Sequence, residues 1–417
     1  MLDFPDVSRM RSGISLLLLL SGMAFPLHAS ASDRVRDKRP SAFSRNIKYG
    51  PLLPLKWGVE ALGDGVDRGL RFVEQRRLLQ QAGSGASQRR RIQPVFGGLA
   101  DGAGVGGGLR ANFARGGVDL DMSGRISTRL YQHYAVQLTK QAGSVYIGPE
   151  AAYRSIPQEN FYGQGPDSLE SNRSTFAFAD SRLGWRTNIQ GRRVRFRHGV
   201  WIRHVDIGDG TDRDFPTTQE LFPEAEVEGG FGDSDWLTNE AAVSIDKRDS
   251  ASNPRTGAAF DAAYVFNQAL SAAASNYSVV HLAGAFYIPL SKERRHVIAV
   301  RSDLVHNLTG VTPFYAQPTL GGSMTLRGFN YYRFRDRDSL SGAAEYRYAI
   351  WQMLDAVLFV DVGQVYSDVF REIDAFPLKS SAGVGLRLNA PGSMSLRFDV
   401  AHSEEGTRVV FKYGPSW

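Results

Sequence analysis

The residues that could carry chemistry are few, and their spacing argues against a catalytic centre. Ser323 sits in Gly321-Gly322-Ser323-Met324-Thr325, which opens like a nucleophile elbow but lacks the closing glycine of G-x-S-x-G. Cysteine is absent, which removes thiol nucleophiles, thiolate metal ligands, disulfides and an N-terminal lipid anchor together. The 8 histidines are scattered without metal-ligand spacing, and no acid pair stands out among the Asp and Glu residues. No catalytic residue, metal or cofactor is therefore assigned. What does recur is a charge at every second position of apolar runs: Arg195, Arg197 and Arg203 in one, Arg397 and Asp399 in another. Such charges suit the wall of a wet cavity, whereas at a bilayer midplane Arg or Lys costs ~2–4 kcal/mol.

The elements that must hold these charges are strands. From Ile92 onward period-two alternation replaces helical spacing, as in Val118–Ile126, Val194–Arg203 and Ser395–Ala401. Strands are expected near 92–99, 104–114, 117–128, 133–141, 144–155, 173–189, 192–207, 237–248, 257–268, 277–290, 295–306, 342–350, 356–366, 380–389, 393–402 and 407–414. Tight turns fall at Gly191, Lys292-Glu293 and Asn389 to Gly392, and long connections at 156–172, 208–236 and 307–341. In lipid every backbone polar group must be paired, so such a sheet must close on itself, with apolar residues facing lipid and their neighbours facing a polar lumen. The expected fold is all-β: a transmembrane antiparallel β-barrel of about sixteen strands, preceded by a short amphipathic helix. A soluble β-sandwich, whose strands also alternate, is the remaining structural alternative.

The N-terminus reads as an address. Arg9 and Arg11 precede the apolar run Gly13 to Phe25, and Ala29-Ser30-Ala31 follows as a cleavage pattern, so residues 1–31 are expected to be a secretory signal. Residues 32–91 are expected to form a periplasmic lead. Within it Leu55, Val59, Leu62, Val66, Leu70 and Val73 recur at helical spacing, opposite Glu60, Asp64, Arg68 and Arg71. That helix would lie on a membrane surface or pack like any other. Arg89-Arg90-Arg91 would reach lipid phosphates or stand solvated. The net charge of +6 is mild and its cations alternate with acids, so nucleic acid is not an expected partner.

Ordered motifs in residues 92–417 resemble the BamA/TamA superfamily of outer-membrane assembly barrels, also called the bacterial surface antigen family. They are Asp246-Lys247-Arg248-Asp249 with Asn253-Pro254-Arg255-Thr256-Gly257; Leu326-Arg327-Gly328-Phe329 after Gly321-Gly322; Glu345-Tyr346-Arg347-Tyr348; Phe359-Val360-Asp361-Val362-Gly363; and Ser381 to Arg387. Phe161-Tyr162-Gly163-Gln164-Gly165 matches nearer the start, and Val410 to Trp417 resembles the family's terminal strand. The resemblance implies a barrel whose first and last strands meet at a weak seam. It implies that the long loop folds into the lumen, where Arg327 pairs with Glu345 and Asp361, Gly328 permits a tight approach and Phe329 completes the motif. It also implies that Phe411, Tyr413 and Trp417 belong to a signal read by barrel-assembly machinery.

Family members that handle protein clients usually carry periplasmic POTRA domains, and residues 32–91 are too few and too helical for one, so none is expected. The function implied is help with inserting or transporting macromolecules at the outer membrane of a Gram-negative bacterium, among lipid and lipopolysaccharide, with possible protein clients. A passive pore or structural surface protein, with the loop as a plug, is the alternative.

Overall fold

The computed structural model describes residues 89–417 apart from 98, 224–226, 273, 352, 375, 391–393 and 414–417. The expected signal, the amphipathic helix and the absence of a POTRA domain fall almost wholly on residues 1–88, outside the described part.

Among the described residues sixteen strands form one antiparallel sheet in sequence order. They are β1 (Arg89–Phe96), β2 (Gly106–Arg115), β3 (Val118–Ser127), β4 (Gln132–Ala142), β5 (Val145–Phe161), β6 (Ser174–Gln190), β7 (Val194–Asp209) and β8 (Gly232–Asp246). Then come β9 (Gly257–Ala269), β10 (Tyr277–Pro289), β11 (His296–Thr309), β14 (Asp338–Trp351), β15 (Leu354–Tyr366), β16 (Lys379–Ala390), β17 (Met394–Ser403) and β18 (Gly406–Tyr413). Two short strands inside loop 310–337, β12 (Thr319–Leu320) and β13 (Phe334–Arg335), pair with each other, and Arg335 also bridges to Gly165, whose N–H donates to the Arg335 carbonyl at 2.8 Å.

Burial along these strands is inverted relative to a soluble protein. In β17, Phe398 is 44% exposed while Arg397 and Asp399 are 1% and 0% exposed. Leu358, Val384, Leu386, Val409 and Phe411 likewise face outward, and Arg347, Asp361 and Arg387 are buried. An apolar outside around a charged inside is the pattern of a lipid-immersed barrel, and it disfavours the sandwich.

The sheet curls round loop 310–337. That loop bonds to β5 through Arg335 and Glu159, to β14 and β15 through Arg327, and to β18 through Ser323 and Lys412. Strands from both ends of the order therefore surround one loop. Among the described residues β1 is paired only with β2 and β18 only with β17.

The long connections lie at one end of the barrel: 97–105, 162–173, 210–231, 310–337 and 367–378. Short turns such as 116–117, 143–144 and 191–193 lie at the other, the periplasmic end of such barrels. Strands β5 and β7 run past their expected ends and β8 begins earlier than expected. Ile156, Phe161, Val205, Ile207 and Trp236 continue inward as part of an apolar cluster with Phe314, which holds the extra pairs in place. Loop 367–378 places Val369 and Phe376 against Leu304, Leu340 and Tyr366, a contact the sequence reading did not anticipate.

Candidate functional site

Loop 310–337 is held in shape before its arginine meets any acid. Leu320, Leu326, Phe329, Phe334 and Val365 form a buried cluster under the loop tip, with Phe329 and Phe334 edge to face at 5.2 Å. Gly321 and Gly322 adopt φ of +106° and +99°, a left-handed region open to glycine. A Cβ on Gly322 would also stand 2.7 Å from Asp101 Oδ2. Gly328 serves differently: a Cβ there would meet Ser381 Cβ at 2.7 Å and Ser403 Cβ at 2.8 Å. The chain thus comes close to β16 and β17, and Ser403 Oγ donates to the Gly328 carbonyl at 2.8 Å.

Arg327 points from this turn into a group of three carboxylates. Its Nε and Nη2 donate to Asp361 at 2.9 and 2.6 Å, and its backbone N–H adds a third bond at 3.0 Å. Nη1 donates to Glu345 Oε1 at 2.8 Å and to Asp399 Oδ2 at 3.3 Å. The guanidinium carbon lies 3.5 Å from the centre of the Phe359 ring, so its face is covered as well as its edge. A planar fork of donors suits this task, because it engages several carboxylates at once and stays charged. Arg327 is 2% exposed and its three acids are no more so.

The motif reading named Arg327, Gly328, Phe329, Glu345 and Asp361, and the structure brings these into one place. It missed the rest of the charge lattice. Asp399 also accepts from Arg387 and pairs with Arg397 at 3.2 Å; Glu345 also accepts from Arg347 at 2.8 Å and Arg387 at 3.0 Å. Alternation alone marks Arg397 and Asp399 as inward-facing and no more. Their mutual contact depends on sheet curvature, which alternation does not encode. The same loop also pairs Arg333 with Glu405 at 2.6 Å, Arg335 with Glu159 and Arg337 with Glu228. The spacing Arg333-x-Arg335-x-Arg337 was the available signal.

A second unanticipated group joins the two ends of the sheet. Ser323 donates from its N–H to Asp101 Oδ2 at 2.8 Å and from its hydroxyl to Oδ1 at 2.5 Å. Lys412 Nζ, on β18, donates to Ser323 Oγ at 2.9 Å, and Arg397 donates to the Ser323 carbonyl. Asp101 lies in the connection just after β1, so one serine of the inner loop touches residues beside the first strand and on the last.

The end with the long connections carries a cluster of packed aromatic rings. Phe314, fully buried, meets Phe161, Phe176 and Phe231 at ring distances of 5.4, 4.9 and 5.5 Å. In the same loop, burial pushes the Asp336 carboxyl up to about 6, against the opposing effect of its bond from the Arg337 N–H. Among the described residues no group of three or more His, Asp or Glu is arranged to hold a metal ion. Of the terminal residues, Phe411 faces outward at 68% exposure and Tyr413 ends β18, while Trp417 lies outside the described residues.

The fold has solved counterparts. BamA from Haemophilus ducreyi lacking POTRA domains 1–3 matches with a TM-score of 0.56 and 15% identity, over 78% of this chain and 70% of that one. CdiB from Acinetobacter baumannii matches with a TM-score of 0.47 and 11% identity, over 79% and 65%. CdiB from Escherichia coli matches at 0.48 and 12%, over 80% and 61%. The chain thus spans less than two thirds of either CdiB chain. No curated protein matches the sequence. The Omp85 superfamily domain matches residues 159–416, more than half of the chain and all of the clamp that Arg327 forms with Glu345, Asp361 and Asp399. The chain belongs to the Omp85 superfamily and is an outer-membrane β-barrel.

Proposed function

We propose that this barrel aids the insertion or translocation of polypeptide at the outer membrane, with loop 310–337 as an internal gate tied to the seam. The observation that carries this reading is the double attachment of the loop tip. Ser323 bonds to Asp101 beside β1 and to Lys412 on β18, while Arg327, four residues on, is held by Glu345, Asp361 and Asp399. Parting β1 from β18 must strain the tip, and freeing the tip must loosen the seam.

The seam strands suit this use. Pro94 in β1 has no N–H to donate, and among the described residues each margin is paired on one side. Unpaired margin groups template an incoming strand. The clients in this reading are protein segments able to pair as β-strands. Barrel-assembly machinery reads Phe411, Tyr413 and Trp417 during the chain's own biogenesis, and lipid with lipopolysaccharide surrounds the wall.

The test is depletion of this chain followed by quantification of other outer-membrane barrels. A fall in their folded levels is expected. Unchanged levels, together with a steady open channel in planar bilayers, would favour a passive pore with a loop plug. The aromatic packing around Phe314 opposes a steady channel.

A further inference from the structure

The lipid-facing wall has a recess between β14, β15 and β16. It has a volume of about 540 Å³ and is lined by Tyr346, Tyr348, Ala356, Leu358, Leu386 and Phe398 among others. Register explains it. Ala356 lies between Tyr348 on β14 and Leu386 on β16, and the neighbouring outward positions carry Tyr346, Leu358 and Val384. A methyl group among large side chains leaves a trough in the barrel wall.

One end of the trough is polar. His296 Nδ1 and the Tyr346 hydroxyl are 2.7 Å apart, and Arg295 lies with its guanidinium 5.5 Å from the centre of the Tyr348 ring. Arg295 is half-buried and fixed by donation to the Ala349 carbonyl at 3.0 Å and to the Tyr348 hydroxyl at 3.3 Å. Among the described residues it bonds to carbonyls and a phenol and has no carboxylate partner. Lys292 stands in the same turn, 290–295, while Arg294 there is paired with Asp249 at 3.3 Å. A half-buried cation without a counter-ion, at the mouth of an apolar trough and on the end with the short turns, matches the two halves of an anionic lipid.

We propose that this recess binds a single anionic phospholipid, its acyl chain lying over Ala356 between Tyr348 and Leu386 and its phosphate on Arg295. The inference depends on the outer-membrane location and is independent of the gate reading. Basic residues at a membrane surface attract anionic headgroups by about 1 kcal/mol each. The apolar trough adds area burial that discriminates chain from headgroup.

The experiment is native mass spectrometry of the full chain in detergent, titrated with phosphatidylglycerol, phosphatidylcholine or inorganic phosphate. Heat-modifiable mobility checks that each variant is folded. The wild type should retain phosphatidylglycerol in preference to phosphatidylcholine. Arg295→Gln should lose that preference by roughly fivefold while still retaining acyl chains. Ala356→Phe should fill the trough and lose both lipids, and Val384→Trp does the same from the neighbouring strand if the first variant does not fold. Equal retention by the wild type and the filled variants would overturn the proposal. So would an unchanged headgroup preference in Arg295→Gln, or binding of inorganic phosphate alone as strongly as the lipid.

Discussion

Arg327 Nη1 stands 3.3 Å from Asp399 Oδ2 across 72 residues of chain. This contact ties the loop motif to β17, next to the last strand, and makes Asp399 the meeting point of Arg327, Arg387 and Arg397. The clamp therefore reaches three strands, β14, β15 and β17, and its loss should be felt across the C-terminal part of the wall.

Arg327→Ala leaves Glu345 and Asp361 buried with a partner removed, a change that costs ~3–5 kcal/mol when a buried pair is broken. The barrel should still assemble, because Arg347 and Arg387 continue to neutralise Glu345. Loop 310–337 should become accessible to protease and the thermal transition in detergent should fall. Unchanged protease access would remove the clamp from the account.

Asp399→Asn should destabilise the barrel less, by ~1–3 kcal/mol, since the amide keeps one acceptor for the three arginines but loses the charge. The same melting measurement reads this out. An effect as small as that of a surface substitution would show that the lattice tolerates its loss.

Much of the architecture was legible because lipid imposes a simple rule. Phe398 outward with Arg397 and Asp399 inward repeats strand after strand, and its period survives in the sequence. Two kinds of feature were not legible. Full strand length was hidden, because Phe161 and Trp236 lie past the expected strand ends and are held by the apolar cluster with Phe314 from a distant loop. Pairings across the lumen were hidden too: Arg335 meets Glu159 176 positions away. Alternation states which way a side chain faces and not what stands opposite. The motif resemblance supplied Arg327 with Glu345 and Asp361, and was silent on Asp399, on Ser323 with Asp101 and Lys412, and on loop 367–378 packing against Leu304 and Leu340.

Ser323→Ala removes two hydroxyl bonds at the seam, each worth ~0.5–1.5 kcal/mol. Spin labels at the outward positions Ile92 on β1 and Val409 on β18 should report a broader, longer distance distribution in the variant than in the wild type. An identical distribution would dissociate the loop tip from the seam.

Asp336 sets a pH dependence. Its folded carboxyl is raised to about 6, above its ordinary value near 3.8, so the native state holds its proton more tightly than the unfolded chain. Its contribution to stability is present in acid and is lost as pH rises from about 4 to about 6. Asp336→Asn should keep the acceptor for the Arg337 N–H and abolish this loss. The melting-temperature difference between variant and wild type should grow from pH 4.5 to pH 7 in favour of the variant; a difference that shrinks over that range contradicts the assignment.

The most direct test of the gate is a seam that can be locked. The chain has no cysteine, so Asp101→Cys beside β1 and Lys412→Cys on β18, whose native side chains come within 4.0 Å, introduce the sole thiols. Purified protein in liposomes is given a denatured client barrel, and client folding is timed with the pair free or joined by a short bis-maleimide linker. The free form should speed client folding over empty liposomes, and the linked form should not. Equal acceleration by the linked and free forms would contradict a function that works through the opening between β1 and β18.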